Sequence, residues 1–312
     1  MAGFFLKPST RGHARSISLP ARSHPTTLKI EEELNKLRNL DVSSSTFMEP
    51  NKLSNAISGI AELYKSIGDL LKLPQTQQAL TKHEDSSWVD VLLEESVSFL
   101  DVCENTRENL FLLRESIGKL QSNLRIRRNN NINTGESDSI EDDVTKYVSF
   151  VKNLKREMGK SLVSLKQIDS KLSDSVLFNK VNNDQHLVAV VRVLRETSSI
   201  CSIVFRSIMA YFLGANLLPK ASKWSLVLKL VHNKGQVGED LNGLEDIEVA
   251  LNNLMVKKLS REGKEMMMII QVACEKLDAL DKRIEGFEKE LECLFRQLIH
   301  TRVSLLNILS DH

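Results

Sequence analysis

Aromatic residues make up only 5% of this 312-residue chain, and of its six prolines only Pro219 lies beyond residue 74. Proline ends helices, and sheets draw on aromatic and β-branched residues, so the shortage of both points to long helices. An excess of one charge is also missing: 42 Lys and Arg stand against 41 Asp and Glu, a net charge of +1. That balance gives no overall pull toward nucleic acid, membranes or acidic substrates, and no nucleic-acid partner is expected. Only four cysteines are present, Cys103, Cys201, Cys274 and Cys293, with no CxxC pair and no histidine at metal-ligand spacing. They read as small buried hydrophobes in a reduced compartment, and neither metal nor cofactor is expected. No charged n-region leads into an apolar h-region, so no secretory signal is expected. Nor does any stretch alternate with period two over the length of a strand, which argues against a sheet.

What remains is a globular composition, 41% apolar and 27% charged, in a chain long enough to bury a sizeable core. Residues 1–25 stand apart. They carry Lys7, Arg11, Arg15 and Arg22, no acidic residue, three prolines and many Ser and Thr. Such a tail cannot bury enough apolar surface to offset its ordering entropy, so disorder is expected. A transit peptide has the same composition.

Residues 26–312 predict an all-α fold, an elongated bundle of six to eight long helices behind that disordered tail. A first helix is capped by Thr27, with Glu31, Glu32 and Glu33 expected in its first turn, where acids suit the positive end. The second spans Pro50 to Leu73 and is stopped by Pro74; a short piece runs from Gln75 to Thr81. The third starts at Ser86 or Ser87 and repeats Leu92, Ser96, Phe99, Cys103, Thr106, Leu110, Leu113, Ile117, Leu120 and Leu124 at 4-3 spacing. It closes on Arg125, Arg127 and Arg128, cations suited to a negative helix end. Asn129 to Ser139 reads as a polar loop, the clearest internal linker.

A fourth helix is expected from about Ile140 to Val176, and a fifth, apolar nearly all round and so central, from Gln185 to Leu213. Ser222 to His232 reads as a short amphipathic helix with Trp224, and Asn233 to Gly243, with three glycines, as a loop. A helix from Leu244 then leads into a closing one, Lys257 to His312. Its heptad seam runs through Leu259, Met266, Ile270, Ala273, Leu277, Leu280, Ile284, Phe287, Leu291, Leu294, Leu298, Leu305 and Ile308, with Gly263 and Thr301 the two places that are not apolar. From Leu291 the apolar surface broadens to Phe295, Ile299, Val303, Leu306 and Leu309. A two-stranded coiled coil needs only a narrow stripe, so the last twenty residues are expected to dock within their own chain, and a monomer is favoured over a homodimer.

Motifs that could carry chemistry are few. Met158-Gly159-Lys160-Ser161 copies the end of a phosphate-binding loop, but Leu154 stands where the loop needs glycine and no strand precedes it. Ile200 to Leu218 has the length of a membrane span, yet Arg206 would sit near its centre at a cost of about 2.5–3.5 kcal/mol, so a buried helix is favoured. Met266-Met267-Met268 reads as core or bundle flank rather than an adaptable binding surface. His186, His232 and His300 have no partner one helical turn away. With no nucleophile and base in view, a non-enzymatic protein is expected. One signal in the tail is sharper. Arg15 stands three residues before Ser18 and Pro20 two after it. That spacing suits a basophilic kinase and the phosphoserine motif read by 14-3-3 proteins.

Three phrases resemble a known family: residues 15–25, beginning Arg15-Ser16-Ile17-Ser18; residues 100–110, Leu100 to Leu110; and residues 284–310, Ile284 to Ser310. Together they are similar to the plant-specific BYPASS-like family of helical proteins, over nearly the whole chain. The resemblance implies an all-helical, non-enzymatic protein associated with root and shoot development, and it supplies no catalytic residue. Because the tail phrase is part of it, a cleaved plastid peptide is disfavoured. The expected function is a cytoplasmic protein-interaction factor in plant development, regulated through its tail. The alternative is a peripheral membrane or vesicle-trafficking factor.

Overall fold

The computed structural model describes residues 25–39, 49–82, 87–129, 137–172, 185–213, 243–257 and 263–310. Among these only Glu49, Lys72, Leu73 and Lys82 are not helical. The eight helices are α1 (Pro25–Asn39), α2 (Pro50–Leu71), α3 (Pro74–Thr81), α4 (Ser87–Asn129), α5 (Ser137–Leu172), α6 (Gln185–Leu213), α7 (Gly243–Lys257) and α8 (Gly263–Ser310). The all-α expectation holds.

At 48 residues, α8 is about 72 Å long at 1.5 Å per residue. It runs antiparallel to α4, and their polar contacts fix the register step by step. Arg302 donates to the Leu93 carbonyl at 2.7 Å and to Ser96 Oγ at 2.6 Å. Arg107 then meets Glu292, Arg114 meets Asp281 and Glu288 at 3.1 Å each, Arg125 meets Asp278 at 2.7 Å, and Arg128 meets Gln271. Between these bonds lies the seam. Ile270, Leu277, Leu280, Ile284, Phe287, Leu291 and Leu294 are buried on α8, facing Phe99, Leu110, Leu113, Ile117 and Leu120 of α4.

The other helices are placed against this pair. α2 covers the C-terminal half of α8, where Thr301 Oγ1 donates to the Tyr64 carbonyl. α7 covers the N-terminal half, with Lys276 Nζ donating to the Asp246 carbonyl. α5 returns antiparallel along α4, tied by Arg127–Asp143 near one end and Lys171–Glu94 near the other. α6 closes the bundle between α2 and α5, which is why it is apolar nearly all round. α1 lies across α2 and α6, and α3 bridges α6 and the end of α8. Where α6 ends, Tyr211, Phe212 and Phe287 form an edge-to-face cluster with centroids 5.0–6.1 Å apart.

Several boundaries differ from those read off the sequence. Pro25 opens α1, so Glu31, Glu32 and Glu33 fall beyond the first turn, which holds no acid. Pro74 both ends α2 and starts α3, the place where its fixed φ and missing N–H cost nothing. Gly243 begins α7 rather than closing a loop, and it is buried. α8 starts at Gly263, not Lys257. The tail, the expected helix 222–232, most of the loops about 129–139 and 233–243, and Leu259 lie outside the described residues.

The broadened apolar surface at the end of α8 is also corrected. Ile299 is 41% exposed, Val303 48% and Leu306 36%. The helix does dock within the chain, but α2 and α4 cover neighbouring faces and leave the third open.

A Cβ at Gly243 would come 2.8 Å from Tyr211 Oη and 2.9 Å from Leu280 Cδ1, whereas one at Gly159, inside α5, meets nothing within 4 Å. Gly243→Ala should therefore lower the melting temperature. Gly159→Ala should raise stability by about 0.5–1 kcal/mol, the usual gain inside an open helix. Thermal melts of the two variants check this, and a rise in both would contradict the packing at Gly243.

Candidate functional site

The interior is not uniformly apolar. Where α2, α4, α6 and α8 meet, a polar layer crosses the bundle around a cavity of about 30 Å³, lined among others by Tyr64, Glu95, Ser198, Thr301 and Arg302. That is room for a water molecule. Glu95, on α4, is only 2% exposed, and neither of its carboxylate oxygens has a hydrogen-bond partner. Burial pushes its carboxyl up from 4.5 to about 7. The nearby Ser198 hydroxyl, short of a full hydrogen bond, and the charges of Arg195 and Lys171 oppose that shift without cancelling it. Glu94 adds to it.

Hydroxyls around this layer mostly turn back onto their own helices. Thr106 donates to the Val102 carbonyl, Thr197 to Val193 and Ser207 to Ile203. Ser66 and Ser202 leave Oγ unpaired. Arg302 is held by Leu93 and Ser96 instead of turning to Glu95. Desolvation therefore holds the proton on this carboxyl more tightly than water would, and the nearby cations offset that only in part.

The cysteines offer no nucleophile in the core. Burial pushes the Cys103 thiol up to about 12 and raises that of Cys201 further, and Cys274 is raised by the same cause. All four are free. Cys293 departs from the expectation of burial: it lies on the exposed side of α8. Among the described residues no group of three or more His, Cys, Asp or Glu could hold a metal ion.

The motifs singled out by sequence sort as follows. Residues 158–161 sit inside α5, with Met158 buried and Lys160 bonded to Glu157 at 2.7 Å, so they form no loop. Arg206 pairs with Asp169 at 2.6 Å, and no described helix is long and apolar enough to cross a membrane. Met266 and Met267 are half-buried, while Met268 is exposed. His186 Nε2 lies 3.0 Å from Thr76 Oγ1, a link between α6 and α3. Arg15, Ser18 and Pro20 lie outside the described residues.

A second feature escaped the sequence reading. At one end of the bundle a groove of about 560 Å³ lies between α3 and the last turns of α8. Lys72, Lys82, Gln77, Gln78 and Asn307 line it, and among the described residues no carboxylate does. Spacing within one helix cannot reveal a groove made by helices more than two hundred residues apart.

An elongated all-helical bundle crossed by a buried acid defines the class of protein. The family follows from comparison: the chain belongs to the family described as Protein BPS1, whose model matches residues 56–308. That is the BYPASS-like family the sequence resembles. No curated protein matches the chain, and neither does any solved structure.

The Glu95 shift has a fixed sign. The folded chain holds this proton more tightly than the unfolded one, so the stability tied to it is complete below about pH 4.5 and lost as pH rises through about 7. The loss is on the order of 3 kcal/mol. Glu95→Gln keeps the shape without the charge. It should melt higher than the parent chain at pH 8 and near it at pH 5, and equal pH slopes for the two proteins would refute the assignment.

Proposed function

We propose that this protein is a non-enzymatic interaction factor of the plant cytoplasm, acting in root and shoot development by holding other proteins. The observation that supports this reading is the open stripe at the end of α8. Ile299, Val303 and Leu306 are exposed at i, i+4 and i+7, one continuous helical face. The stripe adjoins the face of α8 that carries Ser304, Asn307 and Ile308 into the end groove. An apolar ridge beside a polar groove fits the amphipathic helix of a partner, whose apolar positions repeat at the same spacing. The developmental setting rests on the family resemblance of the three phrases and carries no chemistry of its own.

Affinity purification from plant tissue followed by mass spectrometry tests the stripe directly. The double variant Ile299→Asp/Val303→Asp should lose partners that the parent chain retains, while its circular dichroism stays the same. Recovery of every partner by the variant would remove the stripe from this function.

Regulation is proposed through the tail. A phosphate on Ser18 would add about −1.5 to −2 charges, which the arginine-lined groove of a 14-3-3 protein grips through charge-assisted bonds. Ser18→Ala is expected to abolish phosphate-dependent capture by a 14-3-3 protein with melting unchanged. Capture that survives both the substitution and phosphatase treatment would reject the mechanism.

A further inference from the structure

We propose that the outer face of α5 is a docking surface for the anionic headgroups of a membrane. It takes up the peripheral-membrane alternative, gives it a site, and stands independently of the α8 stripe.

The face begins in the sequence. Residues 144–172 contain seven basic residues, Lys146, Lys152, Lys155, Arg156, Lys160, Lys166 and Lys171, against two acidic ones, Glu157 and Asp169. The first turns of α5 hold Asp138, Glu141, Asp142 and Asp143, so the positive charge is concentrated in the helix beyond them. The fold sets its direction. Val144, Tyr147, Val151, Leu154, Met158, Leu162, Leu165 and Ile168 are buried, which locks one side of α5 against the bundle. At 100° per residue, Lys152, Arg156, Lys160 and Lys166 then fall within one arc of about 120° on the opposite side. They span about 21 Å along the axis.

The acids near this helix are mostly engaged elsewhere. Asp169 pairs with Arg206 of α6, and the acids that meet Lys155 and Lys171, Glu248 and Glu94, belong to neighbouring helices. Between Lys152 and Lys166 no acid falls on the arc. Glu157, about 60° beyond its edge, is shared between Arg156 and Lys160, which each keep 69% of their side chain exposed. The exposed acids on the same arc, Glu141 and Asp142, stand about three turns nearer the start of α5, where Asp142 pairs with Lys146. Lys152 and Lys166 make no ion pair with a described residue. Between the cations lie Val148, 47% exposed, and Val163, 53% exposed.

This chemistry separates a lipid surface from a protein partner. Protein interfaces are depleted in lysine and anchored by aromatic or arginine hot spots in pockets. The α5 face has three lysines and Arg156 and no exposed aromatic residue on the arc, and its positive charge runs along the helix from Lys152 to Lys166. A planar anionic leaflet asks for that arrangement. Each basic residue near it is worth about fivefold in affinity, and small apolar side chains can enter the headgroup layer. With no described helix able to span a bilayer, the association is peripheral.

The test is sedimentation of the full chain with phosphatidylcholine vesicles, with and without phosphatidylserine, at low and high salt. The parent chain should sediment with the anionic vesicles only and be released by salt. Lys152→Gln/Lys160→Gln/Lys166→Gln should bind on the order of 100-fold more weakly. The control Lys65→Gln/Lys119→Gln/Lys289→Gln removes three exposed lysines from α2, α4 and α8 and should bind like the parent. Equal loss in both triple variants would mean diffuse charge and overturn the proposal. Undiminished binding by the α5 variant would assign the lipid contact to the basic tail and overturn it too. So would failure on vesicles combined with salt-sensitive retention on DNA or RNA. Loss of protein partners by the α8 variant has no bearing on these outcomes.

Discussion

The register between α4 and α8 constrains everything built on them. Two long helices with leucine-rich seams can slide by a heptad and still bury apolar surface, because the seam repeats. The polar contacts along this pair repeat at the same spacing, Arg107–Glu292, Arg114–Glu285, Gln121–Asp278 and Arg128–Gln271, so what they oppose is a shift by less than a heptad. Arg114 faces three carboxylates, Asp281, Glu285 and Glu288, Arg125 faces Asp278, and Arg107 both pairs with Glu292 and stacks 4.7 Å over the Phe295 ring. Partly exposed pairs of this kind add at most about 1 kcal/mol each. A shift of one turn, about 5.4 Å, would separate all of them at once and pull Cys103 away from the Leu291 carbonyl it meets at 3.7 Å. The apolar seam supplies the attraction, and the ladder opposes one-turn shifts within it. α2 and α7 then divide the length of α8, α5 follows α4, and α6 fills the remaining gap.

Much of this was legible because a 3-4 spacing reports which side of a helix is covered. The fifth expected helix, Gln185 to Leu213, appears with those limits as α6. The seam of α8 is buried from Ile270 through Leu298 as spaced. What spacing cannot report is how many neighbours cover a helix. Ile299, Val303 and Leu306 extend an apolar surface that looks like a bundle centre, and yet no described helix covers it. Spacing also places Lys257 and Gly263 on one closing helix, whereas the described helices are α7, to Lys257, and α8, from Gly263.

Glu95 shows the same limit at the polar layer. The run Trp88, Leu92, Glu95, Phe99, Val102 and Thr106 satisfies a 4-3 repeat as well as the run through Ser96 and Cys103 does, and all six of its residues are buried. A 4-3 repeat alone lets either Glu95 or Ser96 turn inward, and carboxylates ordinarily stay outside. That rule fails here because α4 touches α5, α6 and α8, so its covered arc is wider than one seam. The sequence contains the signal, but only the number of neighbours tells which of two adjacent residues turns inward.

Net charge misleads for a related reason. A value of +1 counts acids that serve the interior contacts together with cations that face outward. Asp278, Asp281, Glu288 and Glu292 of α8 are occupied by arginines of α4, and Asp169 by Arg206. Those acids and arginines largely cancel where they meet. The lysines of α5 have fewer such partners, so the field they produce survives on the outside of the bundle. Over a Debye length of about 8–10 Å, an approaching surface senses the nearest helix face rather than the sum over the chain. A protein with balanced composition can thus present a locally basic side, and the fold, by deciding which charges are paired between helices, determines which side that is.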